Sequence, residues 1–265
     1  MADPKGDNEQ RPDLAEVLAR GALTHDEARP DAVERRHAAG GRTARENLDD
    51  LVDPGSFVEY GRFAIAAQRG RRELDDLIAR TPADGLLAGT ARVNGDLFGE
   101  AAACAVLSYD YTVLAGTQGA LGHRKKDRLF ELIERLRLPV VFFAEGGGGR
   151  PGDTDYPVVS ALDTRAFALW AKLSGLVPRI AVVAGRCFAG NAVIAGCSHL
   201  IVAAESSSLG MGGPAMIEGG GLGKVDPDDV GPIEMQAGNG VVDLVAADEA
   251  EATRLAKRLL AYFQG

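Results

Sequence analysis

The sequence predicts an α/β fold in which helices cover a largely parallel β-sheet, with a helical segment in front of it. Alternation, length and composition lead to this prediction. Short β-like runs alternate with helical runs over most of the chain, the order typical of strand–helix–strand units. The chain has 265 residues, of which 46% are hydrophobic and 25% charged. At this length a large core can be buried without disulfides or metals.

The N-terminal segment is predicted to be a polar tail followed by helices. Residues 1–12 are charged and contain proline, as in a loose tail or leader. The first helix is expected because Leu14, Val17 and Leu18 form an i, i+3, i+4 apolar stripe. A second helix is expected around residues 32–39, after an Arg-Pro-Asp break.

The third helix has the clearest N-terminal signal. Thr43 is placed to cap it, and Glu46 stands three residues later, as in a capping box. Leu48 and Leu51 supply its apolar positions. Asp-Pro-Gly-Ser at residues 53–56 then provides turn chemistry that ends the helix.

From residue 58 onward the pattern predicts alternating strands and helices. Strands are expected at residues 58–60, 85–93, 97–107, 140–144, 179–184, 200–203 and 241–245. Helices are expected at residues 126–136 and 162–174, from about residue 190, and at residues 248–262. No repeat of fixed period interrupts this order.

Charge and cysteine usage argue against several classes of protein. The net charge is −9 and the sequence pI is near 5.0, so general binding to nucleic acid is not expected. Cys104, Cys187 and Cys197 form no C-x-x-C pair and predict buried thiols in a reducing compartment. No secretory signal or membrane span is visible, so we expect a cytoplasmic protein.

A run of glycines follows the apolar strand that ends near residue 144. A formal G-x-G-x-x-G extends from Gly147 to Gly152, but Pro151 and the polar residues after it do not open a helix, so a dinucleotide site is not favoured. A flexible surface loop is one interpretation of the run. The other is an oxyanion hole, because successive backbone amides without Cβ atoms can face one carbonyl oxygen.

A second strand–glycine–helix turn lies at residues 185–192. Its backbone amides could hold an anion or an enolate, although small residues there also suit tight packing of a helix on a sheet. Two other patterns fail as motifs. Residues 219–225 lack the first glycine and the Ser/Thr of a P-loop, and the Cys-Ser-His at residues 197–199 lacks a spaced triad partner.

Five segments, in order along the chain, carry a family pattern. They are RTARENL with LVDPGSFVE at residues 42–59, DYTVLAGTQG at 110–119, GGGR at 147–150, GRCFAGNA at 185–192, and NGVVD with LLAYF within 239–263. Together they resemble the carboxyltransferase component of biotin-dependent acyl-CoA carboxylases, in the crotonase-like superfamily. The match is to the N-terminal of that component's two halves. Gly146 and Gly149 stand where the family usually has Ser and Ala.

The resemblance implies a fold and a reaction. The fold would be the crotonase/ClpP-like spiral of ββα units, with a carboxyltransferase N-domain at residues 46–265 behind the tail and helices of residues 1–45. In the family, carboxybiotin on a separate carrier domain delivers its carboxyl group to the α-carbon of an acyl-CoA, by way of a thioester enolate. The biotin nitrogen is thought to be the base, so neither a side-chain acid–base pair nor a metal is implied.

The resemblance also implies roles for individual residues. The amides of Gly147 and Gly148 would form the oxyanion hole that holds the enolate oxygen. Gly190 and Asn191 are further candidates, in the second turn.

A basic triplet gives the candidate contact for coenzyme A. Arg124, Lys125 and Lys126 stand at the start of a predicted helix, and we expect them to contact the phosphates of the CoA thioester. A solvated surface is the alternative interpretation of such a triplet.

The sequence matches only the N-terminal half of the family's component. In the family the C-terminal half supplies the biotin-binding site, so we expect that half to come from a partner chain or from further sequence. The other implied partners are the biotin carboxyl carrier and the biotin carboxylase, in a homo- or hetero-oligomer. Alone, the chain is expected to fold but to be nearly inactive.

Two other functions stay open at this point. Glu145 and Glu218 flank glycine clusters and could be the acid–base pair of a crotonase-type hydratase, isomerase or decarboxylase. Loop carboxylates that accept backbone hydrogen bonds are the simpler interpretation. The chain could also be a non-catalytic assembly subunit, which would bind no acyl-CoA.

Overall fold

Helices and strands alternate over most of the chain in the computed structural model, which describes residues 11–156 and 164–265. The α-helices are α1 (Pro12–Ala22), α2 (Pro30–Ala38), α3 (Ala44–Leu51), α4 (Leu74–Arg80), α5 (Gly95–Phe98), α6 (Ala120–Leu136), α7 (Ala166–Lys172), α8 (Gly190–Gly196), α9 (Pro214–Gly219), α10 (Ile233–Gly238) and α11 (Glu249–Ala261). The strands are β1 (Val58–Glu59), β2 (Leu86–Arg92), β3 (Ala103–Tyr109), β4 (Val140–Phe143), β5 (Arg179–Val183), β6 (Arg186–Phe188), β7 (Leu200–Ala204), β8 (Ser208–Gly210) and β9 (Leu244–Ala246). Most of the expected tail, residues 1–10, and the first two residues of the helix expected at 162–174 lie outside the described residues.

Seven strands form one mixed sheet in the order β1-β2-β3-β4-β5-β7-β9. From β3 to β9 neighbouring strands are parallel, as predicted, with Val140 opposite Ala105 on one side and Arg179 on the other. The first three strands are antiparallel, and between β2 and β3 residues 93–102 are too few for the crossover that parallel strands need. Strands β6 and β8 form a separate parallel pair.

Both faces of the sheet are buried. Along β4, Phe142 points to the face covered by α6, α7 and α8, where it meets Trp170, and Val141 points to the face covered by α3 and α11. Because side chains alternate along a strand, a sheet with two covered faces needs strands that are apolar at every position. All four residues of β4 are buried, which places the end of this strand inside the molecule.

The helices of the N-terminal segment agree with the sequence analysis. Thr43 and Glu46 form the predicted capping box: Thr43 Oγ1 accepts from the Glu46 amide at 3.1 Å, and the Glu46 carboxylate accepts from the Thr43 amide at 2.8 Å. The boundary expected between residues 45 and 46 falls inside α3. The division of the chain into an N-terminal segment and a carboxyltransferase N-domain otherwise stays a prediction.

Several predicted bounds were wrong. The strand expected at residues 97–107 begins only at Ala103, since Asn94 and Gly99 have positive φ angles and turn the chain through α5 and a short 3-10 helix. Helix α6 begins at Ala120, six residues before its expected start. The last strand begins at Leu244, because Asp243 instead uses its amide and carboxylate to bind the backbone of Ile201.

The sequence analysis did not predict six short elements: α4, α5, α9, α10, β6 and β8. None of the helices in the described part of the chain is long and apolar enough to cross a membrane.

Candidate functional site

Three loops meet at the carboxyl ends of the central parallel strands, where open α/β sheets bind their ligands. They are the segment after β3 (residues 110–119), the glycine turn after β4 (residues 146–149) and the second turn, between β5 and the start of α8 (residues 185–192). Backbone hydrogen bonds join the glycine turn to each of the other two loops. The Gly146 amide donates to the Arg186 carbonyl at 2.7 Å, and the Gln118 amide donates to the Gly148 carbonyl at 2.7 Å.

Local geometry requires glycine at two positions of the glycine turn. Gly148 has a φ angle of +87°, and a Cβ there would lie 2.6 Å from the Cβ of Ala189. Gly146 has a φ angle of +154°, and a Cβ there would overlap the Gly116 carbonyl and the side-chain amide of Asn191. These contacts hold the turn in one conformation, so the glycines serve close approach rather than loop flexibility.

The two amides expected to form the oxyanion hole already have acceptors within the protein. The Gly147 amide donates to the Ala115 carbonyl at 3.2 Å, and the Gly148 amide donates to Asn191 Oδ1 at 3.0 Å. The structure therefore corrects the expectation for Gly147 and Gly148: these residues fix the turn, and their N–H groups do not face an open site.

Two neighbouring amides are free of such bonds. Among the described residues, neither Gly149 nor Gly190 donates its amide to an acceptor. Gly149 forms a parallel bridge with Gln118, in which the bonds are made by the residues on either side of it, so its own N–H points away from Gln118. The Gly190 nitrogen lies 3.5 Å from the Cβ position of Gly148. Both open donors thus lie next to Gly148.

Asn191, a candidate from the second turn, is a fully buried link between the three loops. Its Oδ1 accepts from the Gly148 amide and from Gln118 Nε2, the latter at 3.2 Å. Its Nδ2 donates to the carbonyls of Gly116 at 3.3 Å and Glu145 at 3.2 Å. All four hydrogen-bonding positions of the amide are used within the protein, so Asn191 positions the loops.

The basic triplet lies inside α6, which begins at Ala120, so its three side chains point in different directions. Arg124 is exposed and lies over the ring of Tyr156, 4.7 Å from its centroid. Lys125 donates from Nζ to the carbonyls of Ala83, at 3.0 Å, and Leu86. Burial lowers the pKa of Lys125 to about 8.

Lys126 has no exposed surface, which corrects the expectation that it contacts a phosphate. Its Nζ donates to Gln118 Oε1 at 2.6 Å and to the Tyr109 hydroxyl at 2.8 Å. Burial lowers the pKa of Lys126 to about 7, against the opposing effect of nearby acidic groups. Of the triplet, only Arg124 is placed to meet a ligand from solvent.

The two carboxylates of the hydratase alternative serve other partners. Glu145 is buried, and Arg36 binds both of its carboxylate oxygens. Burial raises the pKa of Glu145 to about 8, although Arg36 opposes this shift. Glu218 is exposed on α9 and its nearest cation is Lys224, at 3.6 Å. The geometry gives no shared site for an acid–base pair of these two residues.

A cavity of about 530 Å³ lies beside the segment after β3, between α2 and α4. Its volume is within the usual range for small-molecule sites. Thr112 and Leu114 form one side, next to Ala115, whose carbonyl accepts the Gly147 amide. Four arginines also line it: Arg29, Arg35, Arg72 and Arg80. The sequence analysis missed this site, because its cationic side chains come from helices that are distant in sequence.

Comparison with known proteins shows which family this chain belongs to. A carboxyl transferase domain model matches residues 35–264. The methylmalonyl-CoA carboxyltransferase 12S subunit of Propionibacterium freudenreichii is 31% identical over 237 residues, which cover 87% of this chain and 42% of that protein. The long-chain acyl-coenzyme A carboxylase beta4 subunit of Mycobacterium tuberculosis is 31% identical over 94% of this chain and 45% of its own length. The chain therefore spans about half the length of these curated relatives.

Solved structures agree with the sequence comparison. A single-chain, multi-domain long-chain acyl-CoA carboxylase has a TM-score of 0.93 and 63% identity, over 97% of this chain and 25% of that one. The transcarboxylase 12S structure with hydrolysed methylmalonyl-coenzyme A bound has a TM-score of 0.76 and 28% identity, over 96% of this chain and 48% of that one. These similarities confirm the predicted crotonase-like fold and the predicted family. The chain belongs to the carboxyl transferase domain family of the biotin-dependent acyl-CoA carboxylases.

Proposed function

We propose that this chain binds an acyl-CoA and stabilises its enolate while a carboxyl group passes from biotin to the α-carbon. The observation that supports this most directly is the pair of amides next to Gly148, those of Gly149 and Gly190, which have no acceptor among the described residues. Removal of the α-proton places negative charge on the thioester oxygen. Two fixed N–H donors stabilise that charge, and one donor of this kind typically contributes about 3–4 kcal/mol in the transition state.

The remaining candidate residues hold these donors in place. Gly147 and Gly148 keep the turn closed through their bonds to Ala115 and Asn191, so the loop need not reorganise as charge develops. Carboxybiotin, carried on a separate domain, supplies the activated carboxyl group when it is bound. This chain's residues orient the thioester and hold its oxygen.

A cationic surface is available to bind the nucleotide end of the substrate. The cavity between α2 and α4 opens beside Ala115 and carries the exposed Arg35, which suits a phosphate group. Arg124, on α6, is the member of the basic triplet that keeps this role in the proposal. Because coenzyme A carries several phosphates, separate cations along its length are compatible with one ligand.

Further parts of the machinery are proposed from the relatives, of which this chain spans about half. They are a C-terminal carboxyltransferase half, a biotin carboxyl carrier and a biotin carboxylase, assembled as an oligomer. The 12S relative is named for its action on methylmalonyl-CoA, and its structure is a hexamer assembly. Both properties of that protein make an acyl-CoA substrate and an oligomer reasonable here. We propose a cytoplasmic location and a reaction without a metal cofactor.

Calorimetric titration with acetyl-CoA, a longer acyl-CoA and free CoA tests the proposed binding. We expect saturable binding that weakens several-fold in Arg124→Glu. Arg128→Glu is the matched control, because it reverses an exposed charge on the same helix. Failure of every ligand to bind, both to this chain and to the complete carboxylase, would support the assembly-subunit alternative instead.

A further inference from the structure

Lys126 places an amino group in the interior of the protein, with no ion-pair partner in the described part of the chain. Its side chain is fully buried, and no carboxylate of the described residues forms an ion pair with it. The rings of Tyr109 and Phe167 lie 5.5 and 5.7 Å from Nζ. Fully buried lysines are rare because the charge loses its hydration, so this one has to be explained by what it contacts.

The lysine begins a relay of hydrogen bonds that ends in the glycine turn. Lys126 Nζ donates to Gln118 Oε1 at 2.6 Å, Gln118 Nε2 donates to Asn191 Oδ1 at 3.2 Å, and the same Oδ1 accepts the Gly148 amide at 3.0 Å. Gln118 and Asn191 are both buried, so water does not compete for these atoms.

The ammonium form of Lys126 fixes the orientation of Gln118, which in turn supports the orientation of Asn191. An amide group can be reversed, with its oxygen and nitrogen exchanged, unless its neighbours accept only one arrangement. Because an ammonium only donates, Gln118 must present Oε1 to Lys126, which leaves Nε2 for Asn191. Asn191 then presents Oδ1 to Gln118, in the same orientation that the Gly148 amide and the carbonyls of Gly116 and Glu145 also require.

Reversal of the relay would change the turn itself. With Gln118 reversed, its oxygen would face Asn191, and Asn191 would turn its Nδ2 toward the Gly148 amide. Two N–H donors would then oppose each other, and the Gly148 bond would be lost. The conformation that leaves Gly149 and Gly190 open therefore depends on one orientation of two amides.

We propose that Lys126 is a positioning residue for carboxyl transfer, whose ammonium fixes the orientation of Gln118, supports that of Asn191 and so holds the glycine turn with its open amides toward the thioester oxygen. This inference rests on the function proposed above. Lys126 acts through other residues and does not touch the substrate.

The charged groups around Lys126 leave this assignment unchanged. Asp84 and Asp127 favour its charged form, while burial disfavours it. On the neighbouring helix α7, Arg165 and Lys172 are exposed and pair with glutamates of α6. A neutral amine still donates two hydrogens, and the Tyr109 hydroxyl can either accept or donate. A neutral amine also carries a lone pair that can accept from Gln118 Nε2, so the orientation is fixed by the ammonium form, which Asp84 and Asp127 favour.

Steady-state kinetics of the complete carboxylase test the proposal. Lys126→Met removes the donor at similar length, and Gln118→Glu keeps an acceptor for Lys126 but offers Asn191 an oxygen in place of Nε2. In both we expect kcat to fall about tenfold or more, while KM for the acyl-CoA changes less than about threefold, because the open amides act mainly on the transition state. Lys172→Met, which removes an exposed lysine from α7, is the control and should keep the kcat of the parent protein.

A double variant separates the relay from two independent effects. If both residues act through one relay, Lys126→Met combined with Gln118→Met should lower kcat no further than the more damaging single change, within about twofold. If the loss of kcat in the double variant equals the product of the two single losses, the proposal is overturned. It is also overturned if Gln118→Glu or Lys126→Met folds and keeps the kcat of the parent protein. Gln118→Glu decides the question if Lys126→Met does not fold, because its carboxylate gives the buried ammonium a counter-ion. Absence of acyl-CoA carboxylation in the parent carboxylase would instead contradict the proposed function.

Discussion

The guanidinium of Arg36 on α2 binds both carboxylate oxygens of Glu145, at 2.9 and 2.8 Å. Glu145 is the residue immediately before the glycine turn, so this contact fixes the N-terminal helices to the candidate site. The same guanidinium reaches Glu249, the first residue of α11, at 3.0 Å, and lies over the ring of Tyr111. Three segments that are distant in sequence thus share one partly buried cation.

Loss of this cation should destabilise the fold strongly. In Arg36→Met two buried carboxylates lose their partner, and removal of one member of a buried ion pair typically costs about 3–5 kcal/mol. We expect a decrease of that order in the free energy of unfolding, measured with urea. Arg72→Met is the matched control, since Arg72 and Asp76 form a partly exposed pair that contributes about 1 kcal/mol or less. Equal effects of the two changes would contradict the importance assigned to Arg36.

The glycine turn should tolerate alanine at one position and not at another. Gly148→Ala forces a Cβ against Ala189 and strains a φ of +87°, whereas a Cβ at Gly149 meets nothing within 4 Å. We expect Gly148→Ala to lower the free energy of unfolding by about 1–3 kcal/mol, and Gly149→Ala to change it by less than about 1 kcal/mol. Denaturant titration of the two variants checks this, and a stable Gly148→Ala would show that the turn can relax.

Asn191→Asp should be damaging although it is nearly isosteric. The aspartate keeps the acceptor for the Gly148 amide but replaces Nδ2 by an oxygen, which then opposes the carbonyls of Gly116 and Glu145. A buried group without its partner costs about 1–3 kcal/mol, and more when it is charged. We expect a loss of stability of at least that size at pH 7 and a partial recovery at acidic pH, where a carboxyl proton can replace the lost donor. A pH-independent loss in the unfolding titration would argue against this reason.

Stability should rise with pH above neutrality because of Lys126. Its pKa is about 7 in the folded chain, while an unfolded lysine titrates near 10.4, so between these values the unfolded chain binds more protons. The cost of burying the charge is complete below pH 7 and is relieved as pH rises toward 10. Between pH 7 and 9.5 the free energy of unfolding should therefore rise less in Lys126→Met than in the parent protein, by about 1 kcal/mol or more. Lys125 titrates in the same direction but is present in both proteins, so the difference between their unfolding curves isolates Lys126.

Sequence reasoning locates the family and the glycine turn, but it misplaces Lys126. A charged residue is expected at the surface because lysine is almost never fully buried. In α6 Lys126 lies instead on the stripe of buried residues formed by Gly122, Leu129, Phe130 and Ile133. That stripe is visible in the sequence, since Lys126 precedes two of its members by three and four positions.

The bonds of the Gly147 and Gly148 amides could not be predicted in the same way. Their acceptors, Ala115 and Asn191, are 32 and 43 residues away in the chain. Only the strand order brings these loops together, and a single sequence does not specify hydrogen-bond partners at such separations. The capping box of α3 was predictable because its two residues are three positions apart.

The strand order of the main sheet has a consequence for how the protein is made. Each strand from β2 to β9 in this sheet pairs with a strand that precedes it in the chain. As the polypeptide leaves the ribosome, every new strand finds its neighbour already synthesised, and none has to wait for an insertion between two earlier strands. The sheet can therefore grow in one direction during translation, from its N-terminal edge at β1 toward β9.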